Sequence, residues 1–460
     1  MGLRRYIGSG DFYKRFLKIA FPIMVQNGIT NFVNMLDNIM VGSIGTAEMS
    51  GVAVTNQLIF VFNLCIFGAV SGAGIFSAQY AGKNDTKGLR YTFRFKFILC
   101  VLFSALAIGV FVLGGDTLIN LYLKGEGTVG QAAASFAAAK KYMLIMLIGF
   151  IPYGITQSYA SVLRATGKTV LPMAAGLAAV TVNLAGNYIL IFGHFGAPKL
   201  GVAGAAIATV ISRFVEMLIV IIYTAVRKRE NEFIIGAYKS PYVPWRLIRN
   251  ISIKGFPLMI NEALWAAGMA TLNGFYSLRG LDVVAANNIN QTFFNVFSVA
   301  YMAVGVSIGI VVGQMLGANK KDEAKNAVRQ LMAFSLCISL VVASAFFLLA
   351  FWIPNIYNTT DSVRKIATGL MQVCAITMPI EAFIHSSYFT LRSGGKVAIT
   401  FIFDCGYVWL IRVPFAAILI HFTGLPIVPL YFVCQIVDLS KVFLGYYLIK
   451  KGVWANKIVD

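Results

Sequence analysis

Nine charged residues inside apolar stretches of this chain are the candidates for chemistry, because a charge there is costly and needs a partner or a task. They are Asp37, Arg213, Glu216, Glu262, Glu381, Asp404, Arg412, Asp438 and Lys441. Arg213 and Glu216 are three residues apart, as are Asp438 and Lys441, so each pair shares a helix face. Pairing on that face is the first reading for these four, and a part in transport the second. Asp404 and Arg412 are eight residues apart, about 12 Å along a helix, too far for an unaided ion pair. Asp404 is expected to face a cleft or a neighbouring helix, and Arg412 to snorkel toward the surface. Asp37, Glu262 and Glu381 have no Lys or Arg within a helical turn. A carboxylate left alone in low dielectric is easily protonated, and one set among other oxygens can hold Na⁺. Either use makes it a point where an ion drives work. The competing reading is a protonated carboxyl hydrogen-bonded in the core.

Other chemistries have no support. His194, His385 and His421 do not cluster, and no H-E-x-x-H or G-x-x-x-x-G-K-[ST] pattern occurs, so zinc hydrolysis and ATP-driven work are not indicated. The six cysteines sit in apolar runs without C-x-x-C spacing and read as small buried hydrophobes. No enzyme activity and no cofactor are expected.

The elements that must position these carboxylates are membrane helices. The chain has 460 residues, 58% hydrophobic and 12% charged, with a mean hydropathy of +0.76. A soluble domain is roughly 45–50% apolar and about 25% charged, so soluble, disordered and fibrous classes are excluded. Apolar runs fall at about 16–41, 51–80, 94–115, 139–163, 169–194, 202–226, 251–278, 285–316, 327–353, 364–391, 397–420 and 426–449. At about 20 residues per span, they predict twelve helices. The basic Met1–Lys18 stretch has no A-x-A-like cleavage site and reads as an uncleaved anchor. Of the 38 Lys and Arg, 28 lie in the loops on the N-terminal side and 7 in the opposite loops. The positive-inside rule then places both termini in the cytoplasm and explains the net charge of +20 without nucleic acid.

The two halves repeat. At an offset of 235, Phe21-Pro22 matches Phe256-Pro257, Gly74-Ile75 matches Gly309-Ile310, and Gln79, Gly82 and Asn84 match Gln314, Gly317 and Asn319. At 228 or 229, Ser158-Tyr159 matches Ser387-Tyr388, while Leu163-Arg164 and Gly167-Lys168 match Leu391-Arg392 and Gly395-Lys396. Six helices return the chain to one side, so the repeats are parallel and related by an axis along the membrane normal. The expected organisation is an N-terminal lobe (1–226), a cytoplasmic linker (227–250) and a C-terminal lobe (251–460). The lobes would flank a central cleft that opens to either side.

The motifs resemble the multidrug and toxic compound extrusion (MATE) transporters. Those that carry the resemblance are Phe21-Pro22 followed by Asp37, Val41-Gly42 and Gly45; Leu163-Arg164 with Gly167-Lys168; Asn183-x-x-x-Asn187 with Ile191 and Gly193; Gly204 through Thr209; and Leu391-Arg392 with Gly395-Lys396. The resemblance spans essentially the whole chain. It implies alternating-access export of cationic or amphipathic drugs and metabolites against inward H⁺ or Na⁺. It places Asp37, Asn183, Asn187 and Thr209 in a cation site of the N-terminal lobe. As in the NorM-like branch, it places Glu262, Tyr301 and Glu381 in a second site, to which Asp404 is added as a candidate. Asn187 stands where the family often has Asp, leaving one carboxylate in the first set, and Glu381 where it often has Asp. Proton exchange is therefore expected at Asp37, while the Glu262 and Glu381 carboxylates are the better Na⁺ candidates. The expected partners are small organic substrates and the bilayer of the cell's inner membrane, with the chain acting as a monomer.

The alternative is a lipid-linked glycan flippase of the same superfamily, which would want basic groups in its cleft to meet phosphate; the unpaired membrane charges here are mostly acidic. A channel or receptor does not need the two-lobe repeat, and the Ala81–Gly88 loop lacks the acidic-basic motif of major-facilitator transporters. Sixteen Met and 36 Phe suit adaptable apolar walls, and serve core packing equally well.

Overall fold

The computed structural model describes residues 6–123 and 129–459; these form helices and connecting turns, with no strand among them. Arg4, Arg5 and Lys124, which enter the charge asymmetry, lie outside the described residues. The long helical segments among the described residues are α1 (Gly10–Gly42), α2 (Thr46–Lys83), α3 (Thr86–Leu123), α4 (Val129–Ile148 and Phe150–Ala165), α5 (Val170–Phe192), α6 (Val202–Val226), α7 (Trp245–Ser277), α8 (Leu281–Gly317), α9 (Lys321–Leu349), α10 (Asp361–Ser393), α11 (Val397–Phe422) and α12 (Ile427–Lys451). Nine of them, with the bent α4 as a tenth, are long and apolar enough to cross a membrane. The other two, α1 and α7, have 33 residues each and polar first turns. At about 50 Å they too exceed a ~30 Å hydrocarbon core. The architecture is the all-α membrane fold the sequence predicts.

Several helices depart from regularity for identifiable reasons. The two segments of α4 meet at 48°, at Gly149, where an added Cβ would come within 3.0 Å of the Arg213 side chain. Two π-helical stretches, Ile402–Gly406 and Val408–Arg412, occupy the middle of α11. Pro414 follows them, and its ring and missing N–H oppose the i→i−4 pattern just upstream. A turn at Val437-Asp438 interrupts α12.

The repeat is written into the backbone. Asn84 and Asn319, one repeat apart, follow the ends of α2 and α8 with φ of 59° and 63°, left-handed values that asparagine tolerates better than most residues. Gly167 and Gly395, also equivalent, take φ of 81° and 70°.

The chain divides into two compact units. One comprises Val25–Ser77 and Asp85–Met259. Its core includes Ile66, Ile119, Met143 and Phe62, the last stacked on Phe150 at 4.0 Å. The 227–244 segment is docked on it: Arg94 donates to the carbonyls of Gly236, Ala237 and Tyr242 at 2.6–2.9 Å, and Lys168 donates to the Glu230 carbonyl and to Asn231 Oδ1. Burial holds the Lys168 ammonium below the usual lysine range, with Glu230 opposing the shift. The expected linker ended at 250, but α7 already begins at Trp245; its first turn, Trp-Arg-Leu-Ile-Arg-Asn, is too polar to register as an apolar run. Arg94 and Lys96, at the start of the third apolar run, are buried within α3.

The second unit comprises Met1–Met24, Ala78–Asn84 and Ile260–Asp460. This division exchanges pieces between the expected halves, and packing explains why. Phe16 and Ala20 of α1 sit in one cluster with Val304, Ile308 and Val312 of α8. In the first unit, Gly255 and Met259 of α7 lie against Gly72 and Gly68 of α2. The first helix of each repeat thus rests its N-terminal half on the second helix of the other. Within the second unit, Gly82 abuts the Gln314 carbonyl and Gly317 abuts the Gln79 carbonyl, each without room for a Cβ. These contacts are reciprocal between repeat-equivalent residues, the signature of a twofold relation.

Candidate cation sites

In the first unit, Asp37 on α1 meets α5. Asn187 Nδ2 donates to Asp37 Oδ1 at 2.6 Å. Asn183 satisfies both its neighbours when its amide nitrogen donates to the two Asp37 oxygens at 3.0 and 3.2 Å and its oxygen accepts from Thr209 Oγ1 at 3.1 Å, the orientation the hydrogen-bond network selects. Thr209, on α6, also has the Ala205 carbonyl at 3.0 Å, and its single hydroxyl hydrogen serves one of these two acceptors at a time. Asn183 and Asn187 are one turn apart and so share a face, and Gly186 lets α5 approach Ala208 of α6 closely. The four residues named from the sequence therefore form one connected set. No Lys or Arg pairs with Asp37 among the described residues. Asn187 Oδ1 is buried without a partner.

The second unit gathers far more charge. Glu262 on α7 accepts from the Tyr388 hydroxyl at 2.9 Å, and Arg392 donates to that same hydroxyl at 3.4 Å. Asp404 accepts from Lys441 at 3.0 Å and from Asn261 at 3.0 Å. Arg412 pairs with Asp438 at 3.0 Å, reaches Glu381 at 3.7 Å, and donates to Gln435 at 2.5 Å. Four carboxylates (Glu262, Glu381, Asp404, Asp438) thus face three permanent bases (Arg392, Arg412, Lys441). With every group ionised, one negative charge remains uncompensated, and burial makes that unfavourable unless a cation or proton joins.

These contacts revise several expectations. Asp438 and Lys441 do not pair with each other: the turn at Val437-Asp438 redirects them, and each finds a partner on α11. Arg412 is 8% exposed and does not snorkel. Arg213 donates to the Gly149 carbonyl at 3.3 Å and lies over the Tyr153 ring at 5.0 Å, without closing an ion pair to Glu216. Glu381 has a basic neighbour after all, contributed by another helix. Glu262 and Glu381 are not brought together. Glu262 meets α10 at Tyr388, seven residues beyond Glu381 and so about 10 Å along the axis, and Arg412 beside Glu381 opposes a metal cation there. The pair does not fit a shared Na⁺ cage. Tyr301 is buried edge-on to His385 at 6.1 Å; it lies within electrostatic reach of Glu381 but hydrogen-bonds none of the carboxylates.

Sequence reasoning missed Tyr388, Arg392, Asn261 and Gln435. The first two carried a signal, since Ser387-Tyr388 and Leu391-Arg392 are repeat matches. Lys96 was also missed: it is fully buried and donates to Ser77 Oγ at 2.7 Å and Ser161 Oγ at 2.8 Å.

The MatE family model matches residues 22–189 and 257–418, which take in Asp37, Asn183, Asn187, Glu262, Glu381 and Asp404. The chain belongs to the MatE family. MatE proteins are membrane transporters, not enzymes. A Thermotoga maritima protein named "Probable multidrug resistance protein NorM" is 25% identical over 453 residues, covering 97% of this chain and 94% of that protein. A Bacillus subtilis protein named "Probable multidrug resistance protein YoeA" is 23% identical over 448 residues, covering 95% and 93%. A MATE crystal structure in the straight conformation superposes with a TM-score of 0.86 at 18% identity over 98% of this chain and 97% of that one. The Vibrio cholerae MATE transporter VcmN superposes at 0.85, with 19% identity over 97% and 98%. The fold of this MatE protein is thus the known MATE fold of twelve helices in two six-helix lobes.

Proposed function

We propose that this MatE protein is a secondary active antiporter. It exports small organic compounds, cationic or amphipathic drugs and metabolites among them, in exchange for inward H⁺ by alternating access. It works as a single chain in the inner membrane with both termini in the cytoplasm. The observation that carries the reading is the setting of Asp37. Two amides hold it in place and Thr209 orients Asn183, while no Lys or Arg among the described residues pairs with it. Such a carboxylate attracts a cation while ionised and releases it when protonated. A proton entering from outside is also driven by the membrane potential, about 2.3 kcal/mol per charge per 100 mV. Both amide nitrogens face Asp37, so the set favours proton exchange over Na⁺, whose ligands would have to be oxygens. The 227–250 region, with its cluster of basic residues, supports the cytoplasmic side.

The test is Asp37→Asn in proteoliposomes, assayed with ethidium under a pure pH gradient and a pure Na⁺ gradient. Loss of pH-driven export supports the reading. Loss of only Na⁺-driven export, or of neither, overturns it.

A further inference from the structure

The outer ends of α7 and α8 enclose a cavity of about 120 Å³, room for several waters. Its lining is mostly polar: Asn273 and Ser277 from α7, Asn287, Asn288 and Gln291 from α8, and Tyr276. Of these, Asn287 and Tyr276 are buried, Asn273 and Gln291 half-buried, and Ser277 and Asn288 exposed; a buried polar group left unsatisfied there costs about 1–3 kcal/mol unless water reaches it. Asn287 Nδ2 donates to Asn273 at 3.3 Å, but its Oδ1 is buried with no protein partner. Tyr276 is 4% exposed; its hydroxyl lies beside the Cys434 thiol, a weak partner, and finds no oxygen or nitrogen. Its ring stands edge-on to Tyr431 at 5.1 Å, and both hydroxyls lie within electrostatic reach of Arg412. Beyond them, Arg412 Nε and Asp438 Oδ1 are again buried without protein partners, and Arg412 touches Glu381 at 3.7 Å.

Orphaned polar atoms thus recur from the cavity to the ion cluster, each in a residue at least nine-tenths buried. Buried polar atoms are almost always hydrogen-bonded, to water where not to protein. We propose that this line is a hydrated entry route within the second unit, through which hydronium passes from the outer face to the Arg412–Asp438–Glu381 cluster. The inference rests on the antiport reading and its topology. Tyr276 lines the cavity and lies within electrostatic reach of Arg412, and its hydroxyl can accept a proton and donate one on without net change. The groups facing Glu381 at the end of the route are Asp438, Arg412, Lys441 and Asp404, with Tyr301 and Cys374 beside them. They supply the one uncompensated negative charge that an arriving proton neutralises.

Two measurements test it on the full-length protein in lipid. Hydroxyl-radical footprinting in ¹⁸O-labelled water should oxidise Tyr276 from adjacent water, while Phe346, fully buried in the same cluster but not lining the cavity, stays unmodified. A Tyr276 as inert as Phe346 overturns the route. In proteoliposomes with ethidium, Asn287→Leu makes the buried side of the cavity apolar and Asn287→Ser keeps it polar. The ratio of pH-driven efflux to counterflow should fall at least fivefold in N287L and stay within twofold in N287S. An unchanged ratio in N287L overturns the route, as does an equal fall in both variants. If the unmutated protein shows no pH-driven efflux, the antiport reading fails by itself, and the footprinting still decides whether the route is hydrated.

Discussion

Replacing Arg412 by methionine strands two buried carboxylates. Asp438 is 2% exposed and loses its ion-pair partner at 3.0 Å, while Glu381 loses the base at 3.7 Å. Gln435 loses a donor as well. Removing one partner of a buried pair costs about 3–5 kcal/mol, because the remaining charge has neither water nor a counter-ion. For a unit of this size, about 2–4 °C per kcal/mol places the melting midpoint roughly 6–20 °C below the unmutated protein. The assay is thermal unfolding in detergent at neutral pH. Arg412→Met combined with Asp438→Asn removes the stranded charge with its partner, and should recover all but about 1–2 kcal/mol, the residue being Gln435 and Glu381 left short of a donor. Acidifying the buffer should narrow the gap between R412M and the unmutated protein, since a protonated carboxyl needs no counter-ion. If R412M melts within about 1 °C of the unmutated protein, or if the double variant is no better than the single, the cluster is not the charge-balanced unit described here.

Two further outcomes follow from other contacts. Glu262→Gln keeps an oxygen for the Tyr388 hydroxyl and removes only the titratable charge, so it should melt normally yet lose gradient-driven ethidium export at least tenfold; full-rate export would make Glu262 a mere core carboxyl. Gly82→Ala forces a methyl into the Gln314 backbone and should cost at least about 1–3 kcal/mol, whereas Gly109→Ala, with open space around it, should gain about 0.5–1 kcal/mol; thermal unfolding of both would expose an error if their order were reversed.

The sequence by itself determined that this chain is a membrane protein of paired six-helix repeats. Period and hydropathy are local, and twelve apolar runs with a 235-residue echo leave few alternatives. In the structure the echo extends to single backbone angles, at Asn84 and Asn319. The Asp37, Asn183, Asn187 and Thr209 set was legible through family resemblance, and one-turn spacing put its two amides on one face. Ion partners were not legible, because a carboxylate in a bundle is answered by whichever helix packs against it. Asp438 and Lys441 looked paired on one helix, and only the packing of α11 on α12 sent them to Arg412 and Asp404. Glu381 looked solitary for the same reason. The unit boundaries were also decided in three dimensions, since glycines at 68, 72, 82 and 317 let helices of opposite repeats approach more closely than connectivity alone implies.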